Sequence, residues 1–130
     1  MGEDDTPVVS IVDDDESLRR ALSNLLRSVG FRVETFASAE AFLESIHQEE
    51  TSCLVLDLRM PGMNGLELLR HLSSTGSRIP AVILTAHGDA EARQRSLESG
   101  AVAFLSKPLS GKALLDAVRT ALDQNGWRPG

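Results

Sequence analysis

Five short apolar runs, spaced between longer segments of helical pattern, constrain the fold more than any other feature of this sequence. They are rich in Val, Ile, Leu and Phe and lie at residues 8–12, 31–36, 53–56, 81–84 and 102–105. Runs that are apolar throughout are typical of strands covered on both faces, as in a parallel sheet. Only the second run alternates, with Phe31 and Val33 against Arg32 and Glu34, which predicts an edge strand.

Between these runs, apolar residues recur at the three- and four-residue spacing of amphipathic helices. The clearest stripe follows Ser110, a suitable helix N-cap, whereas residues 89–99 offer little apolar surface beyond Ala90 and Leu97. The other stripes are Leu18, Ala21, Leu22, Leu25, Leu26 and Val29, then Phe42, Leu43 and Ile46, then Leu66, Leu69 and Leu72. Alternating strands and helices predict a doubly wound α/β sandwich whose parallel five-stranded sheet has the order 2-1-3-4-5.

Length and charge limit the functions open to the chain. Its 130 residues predict one domain over residues 8–124, after a flexible acidic segment (1–7) and before a tail or the start of a linker (125–130). No stretch has the roughly 20 apolar residues that span a membrane, so we expect a cytoplasmic protein. The net charge of −6 argues against direct DNA binding, which needs clustered Lys and Arg. Cys53 lies in an apolar run and is interpreted as a small buried residue.

Polar residues stand at the carboxyl ends of the predicted strands, where ligands bind in sheets of this order. Asp13 and Asp14 end the first strand, Asp57 the third, Thr85 the fourth and Lys107 the fifth. Taken alone, each has an ordinary structural explanation, because Asp caps helices and Lys is usually solvated. Their coincidence at one rim, with Asp57 directly after three apolar residues, predicts a functional site.

The expected chemistry of this rim follows from its charges. Three carboxylates close together repel one another unless positive charge intervenes. A divalent ion that prefers oxygen ligands, Mg²⁺ or Mn²⁺, would supply that charge together with Lys107. In such a setting a carboxylate can be the nucleophile of phosphoryl transfer. We therefore assign Asp57 as the phosphoacceptor and Thr85 as a hydrogen-bond donor to the product.

Four motifs make the chain closely similar to the CheY-like receiver domains of response regulators, which have a flavodoxin-like fold. They are IVDD (11–14), LDLRMPGMNG (56–65), LTA (84–86) and SKP (106–108). The resemblance implies that Asp14 binds metal directly, that Asp13 does so mainly through water, and that the backbone carbonyl of Arg59 is a further ligand. It also implies a cis peptide between Lys107 and Pro108. Phe104, otherwise interpreted as strand core, would be the family's switch aromatic.

The resemblance also implies partners. Receivers take a phosphoryl group from a sensor histidine kinase, and they assist this reaction without being enzymes in the ordinary sense. The chain is similar to receivers that precede a helix-turn-helix domain, so we expect transcription control, with DNA contacted only through an output domain absent from this chain. Phosphorylation is expected to change the face made by the fourth helix and fifth strand, and to promote a homodimer through that face and the fifth helix.

Two further residues, Arg59 and His87, are predicted to lie at the rim and tune the site. Without metal, the Arg59 side chain is predicted to fold over the carboxylates and partly replace the cation, because a guanidinium suits carboxylate geometry. For His87 a role in water access and a bystander role are both open.

Three other kinds of protein share part of this pattern. A metal-dependent phosphatase would use an aspartyl nucleophile, but such enzymes usually carry a second Asp two residues on, where this chain has Arg59. A flavin or nucleotide module would need a Gly-rich or hydroxyl-rich loop after the first strand, where Asp13, Asp14 and Asp15 stand. A single-domain or degenerate receiver that only binds partners is the third, and a degenerate one should lack one of the five key positions.

Overall fold

The computed structural model describes residues 6–45, 48–86 and 90–124, in which strands and helices alternate along the chain. The strands are β1 (Val8–Val12), β2 (Arg32–Phe36), β3 (Cys53–Asp57), β4 (Ala81–Thr85) and β5 (Ala101–Ser106). The helices are α1 (Glu16–Ser28), α2 (Ala39–Glu44), α3 (Gly65–Ser74), α4 (Ala90–Glu98) and α5 (Gly111–Gln124), and a 3-10 turn covers Gln48–Glu50.

The strands form one parallel sheet in the order β2-β1-β3-β4-β5. This confirms the predicted topology and the predicted edge position of the second strand. All residues of β1, β3 and β4 are buried, whereas in β2 only Val33 is buried. Three of the four continuous apolar runs, β1, β3 and β4, lie inside the sheet, where helices cover both of their faces. The fourth, β5, lies at the other edge and is only half-buried.

Two hydrophobic cores lie on opposite faces of the sheet, since side chains alternate between faces along each strand. On one face Ile11 and Val55 pack with residues of α1 and α5, including Leu26 and Leu114. On the other face residues of α2 and α3 pack against neighbouring strand positions; this core includes Val12, Leu54, Leu56, Ile83, Phe42 and Leu68. The carboxyl ends of the strands are thus held between two packed layers.

The predicted strand ends at Asp57 and Thr85 are confirmed, since these are the last residues of β3 and β4. The other two ends differ slightly, because β1 ends at Val12, before Asp13, and β5 ends at Ser106, before Lys107. Asp57 is paired in register with Leu84, and Thr85 with Ser106. Because these polar residues belong to the sheet, the backbone sets the direction of their side chains.

The helices follow the predicted stripes with local differences. In α1, Leu22 is buried, but Ala21 is exposed and Val29 is 42% exposed. Ala21 lies about 100° around the helix from Leu22, and Val29 is the C-cap, where the chain leaves the helical path. In α5, the predicted cap at Ser110 is confirmed, since its hydroxyl accepts a hydrogen bond from the Ala113 amide at 3.3 Å.

Further predictions concern Cys53, a few other single residues, and membrane-spanning segments. Cys53 is buried, and burial raises the pKa of its thiol to about 12, which agrees with its interpretation as a core residue. Ile46, Asp89 and His87 lie outside the described residues. Over the described ranges, no helix is both long enough and apolar enough to cross a membrane.

Candidate functional site

Polar residues from four strand ends meet at one edge of the sheet. Asp13 follows β1 directly, Asp57 and Thr85 end β3 and β4, and Lys107 follows β5. The parallel register brings these ends to the same level, with Val12 opposite Leu56 and Thr85 opposite Ser106. The sheet therefore assembles side chains that are up to 94 positions apart in the chain.

Three carboxylates and one ammonium group form the centre of this rim. Oxygen atoms of Asp13, Asp14 and Asp57 lie within 4.8 Å of one another. The Lys107 Nζ atom is 3.3 Å from Asp13 Oδ2 and 3.6 Å from Asp57 Oδ1. Asp13 and Asp57 are buried, at 0% and 5% exposure, whereas Asp14 is exposed. The site thus opens to solvent on the side of Asp14.

The three consecutive aspartates after β1 have different local roles. Asp15 caps α1 by accepting a hydrogen bond from the Leu18 amide at 3.2 Å. Asp13 turns inward, and its Oδ1 atom accepts from the Asp15 amide at 2.9 Å. A guanidinium nitrogen of Arg19 donates to the backbone carbonyl of Asp13 at 2.7 Å. One aspartate therefore starts the helix, which leaves Asp13 and Asp14 for the site.

The electrostatics of Asp57 show that the rim carries excess negative charge. Burial raises the pKa of its carboxyl, and the charges of Asp13 and Asp14 raise it further. Lys107 and the backbone amide of Arg59 act in the opposite direction without cancelling the increase. Positive charge placed among these carboxylates would therefore stabilise the ionised form of Asp57.

The loop between β3 and α3, residues 58–64, is built closely against Asp57. The Arg59 amide donates to Asp57 Oδ1 at 3.3 Å, and the Gly65 amide donates to the Leu58 carbonyl at 3.0 Å. A Cβ atom on Gly65 would stand 2.4 Å from the Asp57 carbonyl oxygen, so only glycine allows this approach. Asn64 then starts α3 with a capping box that includes Glu67.

The side chain of Arg59 does not follow the sequence prediction. It is exposed, and among the described residues it forms no ion pair with the rim carboxylates, in contrast to Lys107. Instead Arg59 lines a groove between the loop and α4, together with Leu66, Glu91 and Arg95 among others. The prediction that Arg59 folds over the acidic residues is wrong for this structure, because Lys107 is the cation that the sheet directs between them.

Three other predicted features belong to β4, β5 and the residues that follow β5. Thr85 is 2% exposed, and its carbonyl accepts from the Lys107 amide at 2.7 Å. The peptide bond between Lys107 and Pro108 is cis. Phe104 is half-buried on β5 opposite Ile83, and it packs against the core formed with α2 and α3. His87 lies outside the described residues.

Two contacts to the rim were not anticipated from the sequence. Arg19 binds the backbone of Asp13, as described above, and Glu40 of α2 accepts a hydrogen bond from the Met63 amide of the β3–α3 loop at 2.9 Å. Both residues are charged side chains on helix surfaces, and nothing in their spacing distinguishes them from solvated residues. Only the packing of the helices against the strand ends assigns them a partner.

Comparisons with known proteins agree with this geometry. A family model described as the response regulator receiver domain matches residues 9–119. The chain is 44% identical over 119 residues to the response regulator protein TmoT of Ectopseudomonas mendocina, covering 92% of this chain and 54% of that protein. It is 38% identical over 117 residues to the transcriptional regulatory protein FixJ of Azorhizobium caulinodans, covering 90% and 56%. The chain thus spans about half the length of these curated relatives.

Solved structures give the same result. The response regulator StyR superposes with a TM-score of 0.86 at 50% identity, over 93% of this chain and 61% of that chain. The crystal structure of FixJ-N superposes with a TM-score of 0.82 at 38% identity, over 93% of this chain and 95% of that chain. The similarity therefore includes both sequence and backbone.

Proposed function

The chain belongs to the response regulator receiver family, and from that premise we propose that it is a phosphorylation switch whose Asp57 accepts a phosphoryl group from a sensor histidine kinase. One observation carries the proposal: Asp57 lies at the end of a buried strand, beside two further carboxylates and within 3.6 Å of the Lys107 ammonium. Phosphoryl transfer needs mainly this kind of positioning and charge compensation from a protein.

The donor set fits a divalent ion. Three carboxylates offer oxygen ligands within 4.8 Å of one another, and oxygen is the ligand that Mg²⁺ and Mn²⁺ prefer. Asp13, Asp14 and Asp57 would hold the ion, and the family resemblance adds the backbone carbonyl of Arg59. When bound, the ion would neutralise charge on the carboxylates and on the incoming phosphoryl group.

The chain's own groups would perform the transfer. An Asp57 carboxylate oxygen attacks phosphorus and forms the O–P bond as the N–P bond to the kinase histidine breaks, and the electron pair leaves with the imidazole. Lys107 is close enough to pair with an oxygen of the transferred group. Thr85 ends the neighbouring strand, and its hydroxyl would donate to another product oxygen. Asp57 returns to its starting state when water hydrolyses the acyl phosphate.

Control of transcription is the output that we propose. The support is the similarity to the transcriptional regulatory protein FixJ, of which this chain covers 56%. An output domain beyond the receiver would contact DNA, because the net charge of −6 disfavours DNA binding by the receiver surface. The face formed by α4, β5 and α5 would pass the signal on and support a homodimer.

Intact-protein mass spectrometry after incubation with acetyl phosphate and Mg²⁺ tests the phosphoacceptor. We expect one labile phosphoryl addition to the wild-type protein, none to Asp57→Asn, and none when EDTA removes the metal, because the amide is a poor nucleophile. Asp15→Asn is the matched control, since Asn is also a good N-cap and labelling should persist. Labelling of Asp57→Asn would require another acceptor, and an unlabelled wild-type protein would favour a degenerate, partner-binding receiver.

A further inference from the structure

A glutamate on α2 reaches across to the loop that borders the phosphoacceptor. Glu40 Oε2 accepts a hydrogen bond from the Met63 amide at 2.9 Å, a contact between residues 23 positions apart. The same oxygen would be 2.6 Å from a Cβ atom on Gly62, which has a φ of +75°. The carboxylate therefore packs directly on the backbone of the loop, at a position where a larger residue than glycine would displace it.

The helix that carries Glu40 is firmly anchored. Ser38 caps α2 by accepting a hydrogen bond from the Ala41 amide at 3.0 Å. Phe42, two residues after Glu40, is completely buried and makes an edge-to-face contact with Phe36, with ring centroids 5.4 Å apart. Glu40 is thus presented to the loop from a fixed point, although its own side chain is at the surface.

A hydrogen bond joins the loop to α2 close to the loop's end. Arg59 is tied to Asp57 at the start of the loop, the Met60 side chain is buried in the core formed with α2 and α3, and Asn64 and Glu67 form the capping box of α3. The Met63 amide directly precedes Asn64, and its hydrogen bond to Glu40 is the contact with α2. Backbone hydrogen bonds, the largest contribution coming from Met63, lower the pKa of the Glu40 carboxyl.

We propose that Glu40 is a positioning residue for the phosphoacceptor site: by holding Met63 it fixes loop 58–64, and with it the Arg59 backbone, in the geometry that binds the divalent ion. The inference rests on the proposed function, because it concerns the same metal site. Outer contacts that orient metal ligands affect metal affinity without touching the ion. A contact that served only to stabilise the fold would leave that affinity unchanged.

Three substitutions at Glu40 separate the effect of side-chain length from the effect of charge. Glu40→Gln loses the charge but keeps an acceptor at the same distance. Glu40→Asp keeps the charge but is one methylene too short for the Met63 amide. Glu40→Ala loses both. Glu44→Ala, an exposed glutamate at the end of the same helix, is the matched control for removing an acidic side chain from α2.

Mg²⁺ affinity, measured by isothermal titration calorimetry, and hydrogen exchange of the Met63 amide are the two readouts. Glu40→Ala and Glu40→Asp should weaken Mg²⁺ binding by about tenfold, the lower end of the range for outer contacts to metal ligands, and should speed exchange at Met63. Glu40→Gln should retain most of the affinity, and Glu44→Ala should match the wild type. Melting temperatures recorded in parallel identify any variant that is simply unfolded.

Specific results would overturn the inference. Glu40→Ala with wild-type Mg²⁺ affinity but fast exchange at Met63 would show that freeing the loop has no effect on the site. If Glu40→Asp behaves as wild type, or if Glu44→Ala weakens Mg²⁺ binding as much as Glu40→Ala does, the change in affinity is an effect of charge and not of the contact with Met63. A wild-type protein that neither binds Mg²⁺ nor is labelled on Asp57 would overturn the proposed function as well, whereas normal wild-type behaviour with an unaffected Glu40→Ala removes only the role of Glu40.

Discussion

Helices α4 and α5 both pack beside β5, yet they contribute very differently to the fold. Helix α5 buries five side chains, namely Leu114, Ala117, Val118, Ala121 and Leu122. Helix α4 buries only Ser96, whose hydroxyl donates to the Ala92 carbonyl at 2.8 Å, and its one large apolar residue, Leu97, is 39% exposed. A helix with so little buried apolar surface can shift or unfold locally at a small cost in free energy. The difference indicates which part of the molecule would respond to the proposed phosphorylation of Asp57 while the core stays intact.

The same comparison extends to the strands. β3 is wholly buried and ends at Asp57, whereas β5 is half-buried and carries Phe104. A groove separates the β3–α3 loop from α4 and is lined by Arg59 of the loop and Arg95 of the helix. A rearrangement that starts at the rigid rim would therefore reach the loosely packed α4–β5 region first.

The largest expected effect is the difference in stability between a substitution in α5 and one in α4. Leu114→Ala in α5 should lower the free energy of unfolding by about 2–5 kcal/mol, because Leu114 is fully buried and the substitution leaves a cavity. Leu97→Ala in α4 should change it by less than about 0.5 kcal/mol, as for other exposed positions. Urea unfolding followed by far-UV circular dichroism measures both. Equal losses in the two variants would remove the contrast between α4 and α5.

The second prediction concerns the aromatic residue on β5. If Thr85 moves toward the phosphoryl group and the half-buried Phe104 turns into the space that it leaves, burial of the rest of the ring contributes about 0.8–1.5 kcal/mol, half the value for a fully exposed ring. The phosphoryl mimic beryllofluoride should then tighten the wild-type dimer by roughly four- to tenfold, and Phe104→Ala should lose most of this gain. Sedimentation equilibrium with and without beryllofluoride measures the dimer affinity.

Phe36→Ala is the control for the Phe104 experiment, since Phe36 is half-buried on the opposite edge strand. It should reduce stability and leave the response to beryllofluoride in place. If both variants lose the response, general destabilisation explains the result. A dimer that forms through a face other than α4, β5 and α5 would also contradict the aromatic switch.

The smallest expected effect concerns the contribution of the rim carboxylates to the free energy of unfolding. The pKa of Asp57 is raised from 3.8 by burial and by Asp13, so the ionised carboxylate disfavours the folded state in metal-free protein. Asp57→Asn should therefore raise the free energy of unfolding at pH 7 in EDTA. The gain should shrink as the pH falls through the raised pKa toward 3.8, because the wild-type carboxyl then takes up its proton in the folded state.

Urea unfolding at several pH values checks this gain, and Mg²⁺ should reduce or reverse it because ion binding stabilises only the folded wild type. Asp116→Asn is the control, since its exposed ion pair with Lys112 contributes little. An Asp57→Asn protein that is less stable than wild type in EDTA would indicate that the carboxylate is already compensated in the structure.

Much of the site could be predicted because it depends on strand ends. Asp57 and Thr85 follow apolar runs directly, and the order of a parallel sheet determines that such ends meet at one edge. The direction of Arg59 was predicted wrongly for the opposite reason. A long exposed side chain can point toward a carboxylate or toward solvent. The position of Arg59 two residues after Asp57 does not determine which of these directions it takes.

The sequence by itself determined the strand positions, the sheet order and the identity of the rim residues. The strand positions follow from local periodicity, because the spacing of apolar residues decides which side chains share a face of a strand or helix. The sheet order and the rim follow from the way alternating strands and helices connect in a parallel sheet. Only the tertiary structure decided that Asp13 is buried while Asp14 is exposed, that Lys107 lies between Asp13 and Asp57, and that Glu40 binds Met63. Such pairs depend on how separate helices and strand ends pack in three dimensions, and no periodicity along the chain encodes those distances.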